Sequence, residues 1–399
     1  MRIHIDTTRY QLAGKLPDPF RMDDGRTVAT EEDWKQRRTE LYKTSVELQY
    51  GTMPPNPDFL EVETLSLAQA GRPSTYRICT GTKAHPVILH MTVFKSAKKK
   101  CPAVITGDLC FPYCFDKEVI ETFLKSGIHF VAFNRTELAP DIAGYNLRQL
   151  DPDSNEPALS SPIYEKIATG NCGGQLKDAY PEYTFGAIGA WAWGYSRVVD
   201  ALEVLGIADY YAFTGHSRGG KTALLAGALD ERAAIVNPNG AGTCGAGCYR
   251  VSMAAINEDG VEQVSEPTEH IIKTFPAWMG PKLAAYAGRE AELPFDSHML
   301  KALVAPRVLL DTEAASDLWA NPIGTWQTNL AAREVYKFLG FPTRLIWRYR
   351  SGYHCQTLDD FQLLMQIIRA YYHGEALPQG INNLVFDPQS PAFDWRSPK

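Results

Sequence analysis

The chain has 399 residues, of which 45% are hydrophobic and 22% are charged, and its formal net charge is −6. This composition excludes disordered, collagen-like and coiled-coil proteins, and the length allows a core that needs no metal or disulfide support. The single basic run, residues 98–100, precedes an apolar strand and predicts a solvated turn. We therefore expect no nucleic-acid partner.

The sequence contains no long apolar run. No segment approaches the roughly 18 uninterrupted apolar residues of a membrane span, and residues 1–12 lack the apolar core of a signal peptide. We expect no membrane partner. As given, the chain is expected to be cytoplasmic, or secreted or periplasmic if an export signal has been removed.

Eight cysteines are present, and none forms a C-x-x-C pair. Cys110 with Cys114, and Cys244 with Cys248, have helical spacing but no matching pair of histidines. A zinc site is therefore disfavoured. We expect no metal and no cofactor.

Residues 1–60 are polar and irregular, apart from a helix predicted over 31–50 with Thr30 as its N-cap. The sequence MPPNP at 53–57 then breaks the chain. We interpret residues 1–60 as an N-terminal arm packed on the core, and residues 61–399 as a single domain.

From residue 61 the pattern becomes that of a sheet protein. Beta-rich runs at 61–68, 74–81 and 86–95 are followed by apolar strands at 102–108 and 128–134, with a helix at 116–127 between the last two. A strand–helix–strand order predicts parallel strands joined by crossover helices.

Helices and short strands alternate again after a loop over 135–180. The predicted helices are 183–206, 221–231, 323–340 and 358–374, and the predicted strands are 209–215, 232–238, 306–313 and 343–350. A long excursion separates the second and third of these strands. The fold class is therefore α/β, with a mostly parallel central sheet flanked by helices on both faces.

The segment Gly215-His216-Ser217-Arg218-Gly219 is a G-x-S-x-G motif placed between an apolar strand and a helix. In this context the motif forms a sharp turn that exposes the serine oxygen above the strand ends. The glycines allow the strained backbone, and the following helix N-terminus favours negative charge. The motif predicts Ser217 as a nucleophile.

A serine nucleophile needs a base, and the order in α/β-hydrolases is serine, acid, histidine. His354 lies in a glycine-containing loop after the last predicted strand, where the base is expected. His216 lies inside the turn, and we expect its side chain to point along the turn, away from the serine oxygen. His298 precedes the acid segment and is out of order.

The acid is expected after the strand at 306–313. Asp311 lies inside that strand, Glu313 at its end and Asp317 four residues into the loop. The alternative for each is a solvated loop carboxylate. From position alone we place Glu313 first and Asp317 second.

Several segments carry a family resemblance: 215–232, 293–310, 317–340 and the loop of His354. They contain the signature Ser-Arg-x-Gly-Lys at 217–221, which general esterases lack. The chain resembles the glucuronoyl esterases, carbohydrate esterase family 15, and more closely their bacterial branch. The resemblance implies an α/β-hydrolase fold. It also implies cleavage of esters between the 4-O-methyl-glucuronic acid of xylan and lignin alcohols, and thus lignocellulose degradation.

The resemblance also implies roles for individual residues. Ser217 and His354 match the nucleophile and the base, and Arg218 matches the arginine that stabilises the oxyanion. The residues that match sugar-binding positions are Lys221, Trp319, Gln263 and Glu269. The alternatives are a core tryptophan at 319 and surface polar side chains at 263 and 269.

The sequence departs from the family pattern at three points. Fungal members, and many bacterial ones, carry the acid in the loop after the helix that follows the serine, where this chain has Gly240. Some bacterial members carry it at the later strand end instead, which directs the search to Glu313 or Asp317. Fungal members also pair a cysteine before the serine with one after the base, whereas here His216 precedes Ser217 and leaves Cys355 without that partner. No export signal is visible, so a small imported uronate ester would suit a cytoplasmic enzyme.

The predicted function is a serine esterase, expected to be a monomer, that acts on a small-molecule or oligosaccharide ester of glucuronic acid. The main alternative is an acetyl or methyl esterase acting on another plant polysaccharide such as pectin or xylan. A non-catalytic binding protein with this fold is a further alternative, but it would require a broken triad.

Overall fold

A computed structural model describes residues 10–68, 72–109, 112–142, 171–256, 262–385, 387 and 389–398. At 112, 255, 256, 262 and 263 it describes the backbone alone. The chain divides into two compact units: the first comprises 1–46, 214–268 and 286–399, and the second comprises 47–213 and 269–285. The predicted boundary at residue 60, between an arm and a single domain, is not tested by this division and stays a prediction.

The predicted N-terminal helix is present in three parts. Helix α1 (Glu31–Leu41) continues as a π-helical segment (Tyr42–Glu47) and a last turn, α2 (Leu48–Tyr50). Thr30 is the N-cap, as predicted, because its hydroxyl accepts the Asp33 N–H while the Asp33 carboxylate accepts the Thr30 N–H.

Within the first unit, the segment before α1 bonds to the C-terminal part of the chain. Leu16 donates its N–H to the Ala392 carbonyl (2.9 Å) and accepts from the Trp395 indole (2.9 Å). The Phe20 ring packs against Trp395 and Phe338. Aromatic burial therefore fixes this segment in the first unit.

The second unit contains the strands of the first half of the chain: β2 (Phe59–Ser66), β3 (Ser74–Gly81), β4 (Pro86–Phe94), β5 (Cys101–Thr106), β6 (His129–Phe133) and most of β7 (Ala208–His216). Their order is β7-β5-β6-β4-β3-β2. β5 and β6 are parallel, whereas β2–β3, β3–β4 and β4–β6 are antiparallel. The predicted strands are confirmed, with bounds that differ by at most two residues.

Helices of the second unit are α3 (Lys117–Lys125), α4 (Gln175–Ala179) and α5 (Ala187–Leu205). α5 is mostly buried and ends, as predicted, at Gly206 in the left-handed conformation. At its start, a Cβ on Gly186 would lie 2.4 Å from the Trp278 carbonyl oxygen. Only glycine allows this close approach.

The first unit contains the strands of the second half: β8 (Ala233–Asn239), β11 (Val308–Ala314) and β12 (Leu345–Arg350), in the order β12-β11-β8-β7. β8–β11 and β11–β12 are parallel. The accompanying helices are α6 (Arg218–Leu229), α8 (Ser297–Ala302), α9 (Pro322–Phe338) and α10 (Leu358–His373). Because the carboxyl ends of parallel strands meet at one edge, the loops after β8, β11 and β12 lie close together.

The excursion before β11 contains strands that the sequence did not reveal, and one of them pairs with a short N-terminal strand. β1 (Tyr10–Leu12), β9 (Val251–Ile256) and β10 (Glu262–Val264) form a small antiparallel sheet. A helix, α7 (Thr268–Thr274), follows. Strands of three residues are too short to show an alternating pattern, so periodicity could not detect β1 or β10.

Within the described ranges, no helix is long and apolar enough to cross a membrane. In the same ranges, no three His, Cys, Asp or Glu side chains are grouped so that they could hold a metal ion. Seven described cysteines are free thiols: Cys79, Cys101, Cys114, Cys172, Cys244, Cys248 and Cys355. Cys110 lies outside the described residues, and the expectation of no metal and no cofactor stays a prediction.

The burial of His298 makes the folding stability of the protein depend on pH. His298 is buried, and its Nε2–H donates to the Pro17 carbonyl at 2.9 Å. Burial lowers its pKa from 6.5 to about 4. Between these values the unfolded chain binds a proton that the folded protein does not, so this group makes stability fall as the pH drops from 6.5 to 4.

We expect His298→Gln, which can still donate to Pro17, to reduce the loss of unfolding free energy between pH 7 and pH 5 by about 2 kcal/mol. Urea denaturation at both pH values measures this loss. His85→Gln, at an exposed position, is the control and should behave like the parent protein. An equal loss in His298→Gln and the parent would contradict the assignment.

Candidate active site

Ser217 occupies the turn between β7 and α6. Its backbone has φ 55° and ψ −117°, a positive φ that is rare for a residue with a side chain. A Cβ on Gly215 would lie 2.4 Å from the Gly219 carbonyl oxygen, and one on Gly220 would lie 2.7 Å from the Asn239 carbonyl oxygen. The structure therefore has the sharp turn that the motif predicted, with glycine required on both sides of the serine.

The turn is fixed to the neighbouring strand. The Ser217 N–H donates to the carbonyl of Asn239, at the end of β8, at 2.9 Å. α6 begins at Arg218, three residues earlier than predicted, so its N-terminus follows the serine directly. The helix dipole therefore favours negative charge next to Ser217.

His354 and Asp317 form a short hydrogen bond. The Nδ1–H of His354 donates to Asp317 Oδ2 at 2.5 Å. Asp317 is buried, and its Oδ1 accepts the Ala320 N–H at 3.3 Å. The His354 side chain is 35% exposed. This bond fixes the tautomer of the imidazole and leaves Nε2 available to accept a proton.

The preference for Glu313 over Asp317 is reversed by this geometry. β11 extends one residue past Glu313, which is 2% exposed, and neither carboxyl oxygen has a hydrogen-bond partner among the described residues. Burial, and then the Asp311 and Asp317 carboxylates, raise the pKa of Glu313 well above its usual value. The nearby Thr325 hydroxyl opposes this shift without reaching hydrogen-bonding geometry. A carboxyl group whose ionised form is disfavoured in this way is a poor partner for an imidazolium.

The loop that carries His354 is held at several points. Arg350, at the end of β12, donates to the Cys355 carbonyl and forms an ion pair with Asp360 at 2.8 Å. The Ser316 hydroxyl donates to the Gly352 carbonyl at 2.8 Å. These bonds come from the ends of β11 and β12 and the start of α10, so the loop is fixed without a disulfide, and Cys355 is an exposed free thiol.

His216 also contacts His354, and the sequence did not predict this contact. The two ring centroids are 4.5 Å apart, with an angle of 50° between the ring planes. Burial, and then the nearby His354, lower the pKa of His216 to about 4. A Cβ on Gly240 would lie 3.4 Å from His216 Cε1 and 3.7 Å from His354 Cε1. No motif rule addresses the residue before the serine, so its contact could not be inferred from the sequence.

Lys221 is buried one helical turn after Ser217. Its Nζ donates to the Ala241 carbonyl at 2.7 Å and lies 3.4 Å from Glu266 Oε2. Glu266 is buried as well, and its N–H donates to the Trp319 carbonyl at 3.0 Å. Glu266 was missed because it lies in the same short segment as Glu269, and residue matching alone could not choose between the two carboxylates.

The other predicted sugar-binding residues are Trp319, Glu269 and Gln263, and their surroundings differ. Trp319 is 38% exposed, which excludes the alternative of a core tryptophan. Glu269 is exposed and forms an i,i+4 ion pair with Lys273 at 2.6 Å. Gln263 lies in β10, and its side chain is outside the described residues. The sugar-binding roles of Glu269 and Gln263 stay predictions.

Comparison with known proteins identifies similar sequences. Residues 165–340 match the family described as glucuronyl esterase, fungi. The chain is 31% identical to a 4-O-methyl-glucuronoyl methylesterase from Neurospora crassa over 86% of this chain and 77% of that protein. It is 29% identical to 4-O-methyl-glucuronoyl methylesterase 1 from Wolfiporia cocos over 87% of this chain and 78% of that protein.

A solved structure matches nearly the whole chain. It is a carbohydrate esterase family 15 glucuronoyl esterase from Caldicellulosiruptor kristjansonii, with a TM-score of 0.78 and 27% sequence identity. The match covers 97% of this chain and 98% of that one. The predicted α/β-hydrolase fold class is therefore confirmed.

Parallel substitutions of Asp317 and Glu313 test which of the two carboxyl groups is the acid. We expect Asp317→Asn to lower the kcat for benzyl glucuronate by roughly 10³–10⁴, because the amide no longer stabilises the His354 imidazolium. Glu313→Gln should change kcat by less than about threefold, since an amide replaces a carboxyl group that is already neutral. Steady-state kinetics of both variants decide the assignment, and a larger loss in Glu313→Gln would restore Glu313 as the acid.

Proposed function

The chain belongs to the glucuronoyl esterases, carbohydrate esterase family 15, which are carboxylic ester hydrolases, and on this premise we propose that it hydrolyses esters of 4-O-methyl-glucuronic acid through an acyl-enzyme on Ser217. The observation that supports this mechanism most directly is the His354–Asp317 hydrogen bond. It supplies an oriented base for the serine that the strained turn presents.

The proposed reaction has two steps. The Ser217 oxygen attacks the ester carbonyl while His354 Nε2 accepts its proton, and the resulting imidazolium is stabilised by Asp317. The tetrahedral intermediate collapses, and His354 returns the proton to the departing alcohol. Water then attacks the acyl-enzyme with the same base, which releases the uronic acid and restores Ser217.

Charge that develops on the carbonyl oxygen needs stabilisation. Arg218 begins α6 directly after the nucleophile, so its side chain and its backbone N–H are both placed at the helix N-terminus. We assign oxyanion stabilisation to this residue, as the family resemblance implied.

We assign the sugar to a polar group formed by Lys221, Glu266 and Trp319. The lysine and the carboxylate provide charged donors and acceptors for hydroxyl groups, and the exposed indole offers a face for a sugar ring. A cavity of about 230 Å³ lies next to Glu266 and is also lined by Thr243, Thr268 and Arg250. These four polar side chains support a hydroxyl-rich ligand rather than a bare acetyl group.

The proposal also covers the branch of the family, the oligomeric state, the biological role and the location of the protein. We place the chain in the bacterial branch because its acid follows β11 instead of the turn at Gly240, and we propose a monomer that acts in lignocellulose degradation on oligosaccharide or small uronate esters. For its location we propose either the cytoplasm or export from the cell. Cell fractionation of the native source would check the location.

Replacing the nucleophile tests the mechanism and the substrate class together. Ser217→Ala should lower the hydrolysis of benzyl glucuronate by on the order of 10⁶ without changing the melting temperature by more than a few degrees. The parent protein should also prefer benzyl glucuronate to 4-nitrophenyl acetate in kcat/KM. The reverse preference would favour the acetyl esterase alternative, and an active Ser217→Ala variant would refute the mechanism.

Arg218 and Lys221 should affect different kinetic constants. Arg218→Ala should lower kcat by roughly 10² or more, since its contact develops only in the transition state. Lys221→Met keeps the length of the side chain but loses the charge, and it should mainly raise KM, because sugar hydroxyls are bound in both the ground and transition states. Thermal unfolding checks that both variants fold, and equal effects on kcat and KM in both would contradict this division.

A further inference from the structure

His216 lies against the ring of the base but is not assigned to proton transfer, oxyanion binding or sugar binding. Its centroid distance of 4.5 Å from His354 and the 50° tilt between the rings are typical of a packed aromatic pair. Asp317 fixes the imidazole through its Nδ1 edge. His216 adds a contact with the ring of a side chain that is otherwise partly exposed.

The His216 ring is itself fixed to the strands of the first unit. Its Nδ1–H donates to Asn239 Oδ1 at 2.7 Å, while Asn239 Nδ2 donates to the Thr312 hydroxyl at 2.9 Å. Because the amide nitrogen serves Thr312, the amide oxygen faces His216 and the imidazole nitrogen must be the donor. Asn239 and Thr312 are register partners in β8 and β11. The ring is therefore oriented by two adjacent parallel strands.

Asn239 holds the nucleophile as well. Its carbonyl accepts the Ser217 N–H at 2.9 Å, while its side chain orients His216. One residue thus fixes the position of the serine backbone and, through the His216 ring, the position of the base. Asn239 in β8 therefore holds both the Ser217 backbone and the ring that contacts His354.

The contact is made by an uncharged ring. Burial first, and then the positive charges of His354 and Arg350, disfavour protonation of His216, while its bond to Asn239 and the Asp317 carboxylate oppose that effect. A neutral His216 places no second positive charge next to the imidazolium that forms on His354 during the reaction. It can therefore position the base without adding a like charge to the site.

We propose that His216 is a positioning residue for the base: its neutral ring, oriented by Asn239, holds the His354 imidazole at the correct distance and angle from Ser217. The inference rests on the proposed function, since it requires His354 to be the base. It predicts an effect on kcat without an effect on substrate binding.

The test compares His216→Ala with His216→Phe. Removing the ring should lower kcat by about 10- to 100-fold with little change in KM, because small displacements of a catalytic group have effects of this size. His216→Phe keeps a ring in contact with His354 and should recover part of that loss, because it retains the ring but loses the bond to Asn239. A purely structural role would lower the melting temperature of both variants without this split between kcat and KM.

Two results would overturn the proposal. The first is an unchanged kcat in a folded His216→Ala variant. The second is an equal loss of kcat in the Phe and Ala variants, because it would exclude the ring contact as the cause. A folded Asn239→Ala variant gives a further check: combined with His216→Ala it should show a loss well below the product of the two single losses, and simple multiplication of the losses would contradict the proposed coupling.

Measuring each variant with 4-nitrophenyl acetate as well as benzyl glucuronate separates this inference from the proposed substrate. The base serves both esters, so the relative loss in His216→Ala should be the same for both. Failure of the parent protein on benzyl glucuronate alone would refute the substrate assignment and leave the His216 measurement intact. An effect of His216→Ala on only one of the two esters would refute positioning of the base.

Discussion

The hydrogen bond between His354 and Asp317 joins the loops that follow two neighbouring parallel strands. Asp317 comes three residues after β11 ends, and His354 comes four residues after β12 ends. Because β11 and β12 are parallel and adjacent, both loops lie at the same edge of the sheet. The 2.5 Å bond thus depends on strand order, and the catalytic geometry proposed here depends on the bond.

Asn239 links this arrangement to the nucleophile. It lies at the end of β8, next to β11, and its backbone and side chain bond to Ser217, His216 and Thr312. The strained φ of Ser217 persists because these bonds, and the close approach of Gly220 to the Asn239 carbonyl, leave the turn no alternative conformation. Ser217 and the ring of His216, which contacts the proposed base His354, are therefore held by the same pair of strands.

The sequence predicted best those parts of the candidate site in which a catalytic residue type lies within a recognisable local structure. The turn around Ser217 could be predicted because its glycines are required by backbone contacts, and the His354 loop because strand order determines where the base follows. The choice between Glu313 and Asp317 depended on where β11 ends, and strand ends are the least certain part of a sequence-based prediction. The contacts of Glu266 and His216 are between residues distant in sequence, and no periodicity reports such contacts.

Gly240 connects the position of the acid to the neutral state of His216. A side chain at this position would begin 3.4 Å from His216 Cε1 and 3.7 Å from His354 Cε1. A carboxylate there would stabilise the protonated forms of both rings, since opposite charge within a few ångströms favours the charged form. His216 would then share the carboxylate and bring a second positive charge to the site. With glycine at 240, the carboxylate bonded to Nδ1 of the proposed base is that of Asp317, while burial and the nearby His354 lower the pKa of His216 to about 4.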